Sequence, residues 1–194
     1  MFKTPFRRFV PTLAALSALA TAAMFAPSPA LAAPHHPGFP TVTAPKAPAF
    51  IGGAGDWLNT GGKARTVGGH VTLVTFWTTG CINCKRVLPY WSGWYKKYAG
   101  DVDVLAVHTP ETPRERSPRV VARFAKERGL TFPILMDSDA KNWNAFGIAS
   151  WPTTILIDKQ GRIRNRWEGE LNWQNAGTFR EVEREIEALR VDKP

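Results

Sequence analysis

From Phe50 onward, the hydrophobic positions follow two alternating rhythms. Val71 to Trp77 (Val-Thr-Leu-Val-Thr-Phe-Trp) is β-branched and aromatic throughout, the composition of a strand buried on both faces. A helix is expected from Cys81 to about Tyr98, kinked by Pro89. Val102 to Val107 reads as a second core strand. The next helix has clear punctuation: Ser117 can cap it, Pro118 suits its first turn, and Gly129 can end it, with Val120, Val121 and Phe124 facing inward. Ile134-Leu135 is a short strand and Ala140 to Phe146 a short helix. Thr153 to Ile157 and Arg162 to Trp167 flank the turn Asp158-Lys159-Gln160-Gly161, a hairpin. In the last helix, Thr178 to Arg190, the residues Phe179, Val182, Ile186 and Leu189 share one face. Ahead of all this, Trp57-Leu58, the Gly61-Gly62 turn and Ala64 to Val67 suggest a small N-terminal β-hairpin. The order predicts an α/β sandwich around a mixed sheet. Order alone names no function.

The segment before Phe50 has a different character. Lys3, Arg7 and Arg8 form a positive start, Leu13 to Phe25 is apolar and alanine-rich, and Ala30-Leu31-Ala32 offers a small-x-small cleavage pattern. Residues 1–32 are therefore expected to be a signal peptide. The alternative is a retained membrane anchor, because Phe9 to Ala26 sits near the lower edge of a spanning length, roughly 17 residues. Residues 33–49 hold prolines 34, 37, 40, 45 and 48 and read as an extended tether, leaving 50–194 as the folded domain. His35-His36 lacks the further ligands that a metal site requires. The chain has 194 residues and a formal charge of +9. Loss of the leader would remove three of its cations and no acid, and would still leave enough chain for one core. The arginines at 114, 116 and 119, and at 162, 164 and 166, cluster without any nucleic-acid motif around them, so solvated faces are expected and no nucleic-acid partner.

The chemistry concentrates at the only two cysteines, Cys81-Ile82-Asn83-Cys84, at the junction of a core strand and a helix. On a helix, positions i and i+3 are neighbours, so the two sulfurs can bond without large backbone movement. A cysteine at a helix N-terminus meets unpaired N–H groups and the positive end of the dipole, which favour thiolate. Cys81 is thus the expected nucleophile and Cys84 the resolving thiol. A structural disulfide is a poor alternative: closing about four residues contributes about 2 kcal/mol, against about 4.7 for a 100-residue loop. Attachment of c-type haem requires histidine after the second cysteine, where Lys85 stands. A structural zinc needs four ligands, and His70 and His108 are single residues beside strands. No metal or other cofactor is expected.

The run Phe76-Trp77-Thr78-Thr79-Gly80-Cys81-Ile82-Asn83-Cys84-Lys85-Arg86-Val87-Leu88-Pro89 resembles the active-site segment of thioredoxin-like proteins of the TlpA group, nearest its DipZ-like branch. Val107-His108-Thr109-Pro110-Glu111 resembles the same branch, and Trp151-Pro152-Thr153-Thr154 falls where the group has its cis-proline loop. The resemblance implies a thioredoxin-like fold and a thiol–disulfide oxidoreductase. It implies that Pro152 is cis beside the cysteines, with the Trp151 backbone available to a substrate peptide. Glu111 falls where several relatives place a buried acid that exchanges a proton with the second cysteine. Trp77 and Trp151 are expected to shield the sulfurs and offer an apolar docking surface.

The resemblance also implies a reductant of protein disulfides, with any membrane electron donor acting in trans; together with the leader pattern the expectation is a periplasmic protein, and a monomer. Gly80 departs from the Trp or Cys common before the first cysteine, and Ile82-Asn83 replaces the usual intervening pairs. Three other functions share the fold: an oxidase or isomerase, a non-catalytic binding module, and a peroxiredoxin-like peroxidase. The last lacks its Pro-x-x-x-Thr/Ser-x-x-Cys context, because Val74 stands where the proline belongs.

Overall fold

A computed structural model describes residues 44–191. Residues 1–32, expected to be a signal peptide, and most of the proline-rich segment, His35-His36 included, lie outside the described residues. Six strands form one mixed sheet: β1 (Trp57–Leu58), β2 (Val71–Trp77), β3 (Val102–His108), β4 (Ile134–Met136), β5 (Thr153–Ile157) and β6 (Ile163–Glu168), in the order β1-β4-β3-β2-β5-β6. β2 runs parallel to β3, and β3 to β4, while β1, β5 and β6 are antiparallel to their neighbours. Every residue of β2 is buried, as its apolar run predicts, because it pairs on both edges and is covered on both faces.

Helices α1 (Ile82–Lys97) and α2 (Pro118–Glu127) are the crossovers β2–α1–β3 and β3–α2–β4. Both step the same way along the sheet, and right-handed crossovers then place both helices on one face. There they meet α4 (Thr178–Val191). Val87, Leu88, Trp91 and Trp94 of α1, Val121 and Ala125 of α2, and Val182, Ile186 and Leu189 of α4 share one core with Val71, Leu73 and Trp77. Each such aliphatic side chain contributes on the order of 1.5–3 kcal/mol by leaving water. The short helix α3 (Lys141–Ala145) lies with the other core, where Val74 and Phe76 meet Phe146, Ile148, Trp57 and Phe50. Ser117, Pro118 and Gly129 bound α2 as expected, with Gly129 at φ +64°.

Two expectations need correction. There is no N-terminal hairpin among the described residues, because β1 pairs with β4 and Ala64 to Val67 form no strand. Asn59, at φ 62°, turns the chain, and its Nδ2 donates to the carbonyls of Leu130 (3.1 Å) and Phe132 (3.0 Å). Those bonds and the burial of Trp57 against the sheet hold the segment to β4 and leave the glycine-rich stretch in solvent. The end of the supposed tether is also docked. Ile163 N–H donates to Pro45 O (2.8 Å) and Ala47 N–H to Gly161 O (2.9 Å), so residues 45–47 line the outer edge of β6. Proline permits this because the bridge takes its one donor from Ala47.

The arginines at 162, 164 and 166 are likewise held against the protein. Arg162 donates to Ala44 O, Arg166 donates to Gly147 O in the turn after α3, and Arg164 pairs with Asp158 at 3.5 Å.

Candidate active site

β2 ends at Trp77, and Thr78-Thr79-Gly80 carries the chain to Cys81, the N-cap of α1. Cys81 has extended backbone (φ −65°, ψ 122°), and its sulfur accepts the Cys84 N–H at 3.3 Å, the bond a capping serine or aspartate would make. The thiol that caps the helix is thus half-exposed at the positive end of the dipole, while Lys96 and Lys97 sit at the other end. Both cysteines are free thiols. Cys84 is fully buried in the core beside Trp77. Burial pushes its thiol far above the ordinary value. The Thr78 N–H opposes that rise, and the Cys81 sulfur and the Glu111 charge add to it.

Pro152 immediately precedes β5, whose first residue pairs with Phe76 near the end of β2, and this register brings the loop to the cysteines. The Trp151–Pro152 peptide is cis. Trp151 O lies 3.9 Å from Cys81 Sγ, the Trp151 ring packs on Trp143 with centroids 4.5 Å apart, and Gly169 N–H holds Pro152 O at 2.7 Å. Trp143 is itself fixed from below. Buried Asp137 accepts the N–H groups of Asn142 and Trp143 at the start of α3 and the Thr109 hydroxyl.

Two site expectations change. Trp77 has no exposed surface: it lies edge-on to His108 and tilted against Phe124, so it is a wall of the core and offers no docking surface. Glu111 is exposed, and the buried acid is Glu115. The 3-10 turn Pro113–Arg116 folds Glu115 back beneath the loop. There it accepts the hydroxyls of Thr78 and Thr79, each at 2.6 Å, and the N–H groups of Glu111 (2.9 Å) and Thr112 (3.3 Å). Burial alone would raise this carboxyl, but the four donors outweigh it and bring the pKa down to about 2. Glu111 still reaches the site's edge, since its Oε2 lies 3.4 Å from where a Cβ on Gly80 would stand. The available sequence signal for Glu115 was Thr112-x-x-Glu115, the spacing of a capping box, beside paired threonines before the cysteine.

His108 ends β3 opposite Trp77, fully buried with neither ring nitrogen hydrogen-bonded to protein. Burial lowers its pKa from 6.5 to about 4, against the pull of Glu115 and Asp137. No group of three or more histidine, cysteine or acidic side chains suited to a metal occurs among the described residues.

With this geometry in place, comparison with known proteins identifies the lineage. Residues 44–166 match the model of the AhpC/TSA family. The chain belongs to that family. It is similar to protein DipZ of Mycobacterium tuberculosis (strain CDC 1551 / Oshkosh), with 38% identity over 119 residues, covering 59% of this chain and 17% of DipZ. It therefore spans only a small part of that relative. It is also similar to the thiol–disulfide oxidoreductase ResA of Geobacillus thermodenitrificans (strain NG80-2), 33% identical over 124 residues, covering 63% of this chain and 64% of ResA. Among solved structures, the solution structure of a thioredoxin-like protein in its oxidised form superposes with a TM-score of 0.64 at 25% identity, covering 77% of this chain and 98% of that one. The fold is thioredoxin-like, built on the mixed six-stranded sheet described above.

Two measurements check the electrostatics of the site. Alkylation of the reduced protein near neutral pH should modify Cys81 much faster than Cys84; equal rates would contradict the burial of Cys84. Stability should also fall in two successive steps on acidification. His108 has a folded pKa near 4 and an ordinary value of 6.5, so stability is full above pH 6.5 and declines from there to pH 4. Glu115, near 2 against 4.5, contributes above pH 4.5 and loses that contribution between 4.5 and 2. Urea midpoints followed against pH should show His108→Phe flattening the upper step and Glu115→Gln the lower.

Proposed function

We propose that this chain is an exported thiol–disulfide oxidoreductase that donates electrons to disulfides of other proteins. One observation carries the reading: Cys81 stands half-exposed at a helix N-terminus while Cys84 is sealed behind it one turn further on. In the reaction, the Cys81 thiolate attacks one sulfur of a substrate disulfide, forming a mixed disulfide and releasing a substrate thiolate that takes up a proton. Cys84 then gives up its proton and attacks Cys81 Sγ. The Cys81–Cys84 bond forms, the mixed disulfide breaks, and the second substrate thiolate leaves and is protonated. Two electrons pass from the protein dithiol to the substrate. Because Cys84 stays a thiol until the second step, a single thiolate is presented to the substrate in the first.

In this reading the Trp151 carbonyl beside Cys81 and the edge at Pro152 receive the substrate backbone, and the Trp151 ring supplies apolar contact. Glu111, exposed at the rim and felt electrostatically by Cys84, exchanges the Cys84 proton with solvent. The leader-like N-terminus supports action in the periplasm. In this reading the protein works as a monomer and a membrane electron donor restores the dithiol in trans. The similarity to ResA, named a thiol–disulfide oxidoreductase, supports the reaction class.

The reducing direction rests on the residues between the cysteines. Ile82 and Asn83 bring no positive charge between the cysteines, so the thiolate gains its stabilisation mainly from the helix terminus and the disulfide is comparatively stable. Equilibration with glutathione should give a reduction potential nearer roughly −270 mV, the thioredoxin value, than roughly −120 mV, that of a strong disulfide oxidant. A value at the oxidising end would replace the reductase with an oxidase. Glu111→Gln should shift the pH profile of disulfide exchange while leaving the fold intact; an unchanged profile would return Glu111 to the ordinary surface.

A further inference from the structure

The Trp151–Pro152 loop is fastened at its backbone, and its indole is backed from elsewhere in the chain. The Thr153 hydroxyl donates to Ser150 O (2.8 Å) and Gly169 N–H to Pro152 O (2.7 Å); both bonds hold backbone and leave the Trp151 ring to its packing. That ring is half-buried and lies on Trp143, also half-buried, with centroids 4.5 Å apart and planes tilted by 45°. Trp143 has a support of its own. It sits in α3, a helix of five residues, too short to persist alone in water, and Ala140 at its N-cap offers no side-chain cap. Asp137 supplies one. Its Oδ2 accepts the Trp143 N–H (2.9 Å) and the Thr109 hydroxyl (3.0 Å), and its Oδ1 accepts the Asn142 N–H (2.9 Å) and Nδ2 (3.1 Å). Asn142 also pairs with the Ile51 backbone: its Oδ1 accepts the N–H and its Nδ2 donates to the carbonyl, each at 2.8 Å. Beyond α3, Ile148 N–H donates to Trp143 O (3.0 Å).

We propose that Trp143 and Asp137 are positioning residues for substrate capture: Asp137 holds Trp143, and Trp143 holds the Trp151 indole ready for the substrate peptide. The proposal rests on the oxidoreductase reading and deepens it. Trp151 O lies 3.9 Å from Cys81 Sγ, so a peptide seated on this loop brings its own sulfur to the nucleophile only if the loop keeps its place. A loop tryptophan with no partner would lose rotamer freedom each time a peptide bound. A ring already stacked has lost it on folding, and binding is tighter for that. Trp143 packs with Phe76, Phe146 and Ile148 in one core, while Trp151 packs with Cys81 and Cys84 in the other. The indole pair therefore joins the two faces of the sheet at the end where the exchange occurs. Both residues act through Trp151.

The test separates capture of a peptide from the reactivity of the thiol. Two second-order rate constants are measured on the reduced full chain. One is for reduction of an extended peptide whose cysteine is a mixed disulfide with glutathione; the other is for alkylation of Cys81 by iodoacetamide, which needs no docking. Trp143→Leu should reduce the peptide roughly five- to tenfold more slowly, the scale of one aromatic pair, with alkylation near the wild-type rate. Trp143→Phe keeps a ring behind Trp151 and should restore most of the loss. Asp137→Asn turns an amide nitrogen towards a backbone N–H in either orientation, so it should slow the peptide and spare alkylation as Trp143→Leu does. Should Asp137→Asn fail to fold, the Trp143 pair decides. Peptide reduction at the wild-type rate in Trp143→Leu or in a folded Asp137→Asn would overturn the proposal. So would alkylation slowed by the same factor, or a Trp143→Phe as slow as Trp143→Leu. A wild-type protein that does not reduce the peptide at all would overturn the oxidoreductase reading itself, and this inference with it.

Discussion

The site depends on one constraint: Cys84 must be buried directly behind a Cys81 that is not. A strand that is covered on both faces, ending against the first turn of a helix, imposes that difference on two residues only three positions apart. Burial keeps Cys84 protonated, and the N-cap position keeps Cys81 at the surface with backbone N–H groups around it. The Trp151–Pro152 loop, the threonine pair and Glu115 are all placed relative to that junction.

The supports come from distant parts of the chain and converge through the sheet. β5 returns antiparallel beside β2, so the residue before it arrives next to the cysteines. β3 runs parallel on the other edge, so the loop after it, Thr109 to Arg116, arrives at the same end. Asp137, at the end of β4, ties Thr109 to the start of α3, whose Trp143 backs Trp151. Ligands commonly bind outside the carboxyl ends of parallel strands. Here the same end of the sheet gathers the chemistry.

Local signals made most of this legible. The β-branched run of β2, the caps of α2, the one-sided periodicity of α4 and the Asp158–Gly161 turn each act within a few residues, and each element formed where its signal lay. The strand–helix junction and the Cys-x-x-Cys spacing made the placement of the two cysteines readable as well. What escaped was long-range. β1 joined β4, about 77 residues away, because Asn59 found carbonyls that no local pattern announces. Trp77, expected to offer a docking surface beside the sulfurs, is fully covered on an all-buried strand, because a motif reads the order of residues and not the face to which each points. Glu111 and Glu115 differ by one turn of 3-10 helix, and only the fold of that turn decides which is covered.

The claim on which the account stands is that Cys81 attacks and Cys84 resolves. The most direct measurement uses the two single-cysteine variants with a disulfide-bonded protein as substrate. Cys84→Ser removes the resolving thiol, so it should accumulate a covalent mixed disulfide at Cys81, visible by non-reducing mass spectrometry. Cys81→Ser should trap little or nothing, because its remaining thiol is buried. A stable adduct on Cys84 in the Cys81→Ser protein, with none on Cys81 in its counterpart, would contradict the account.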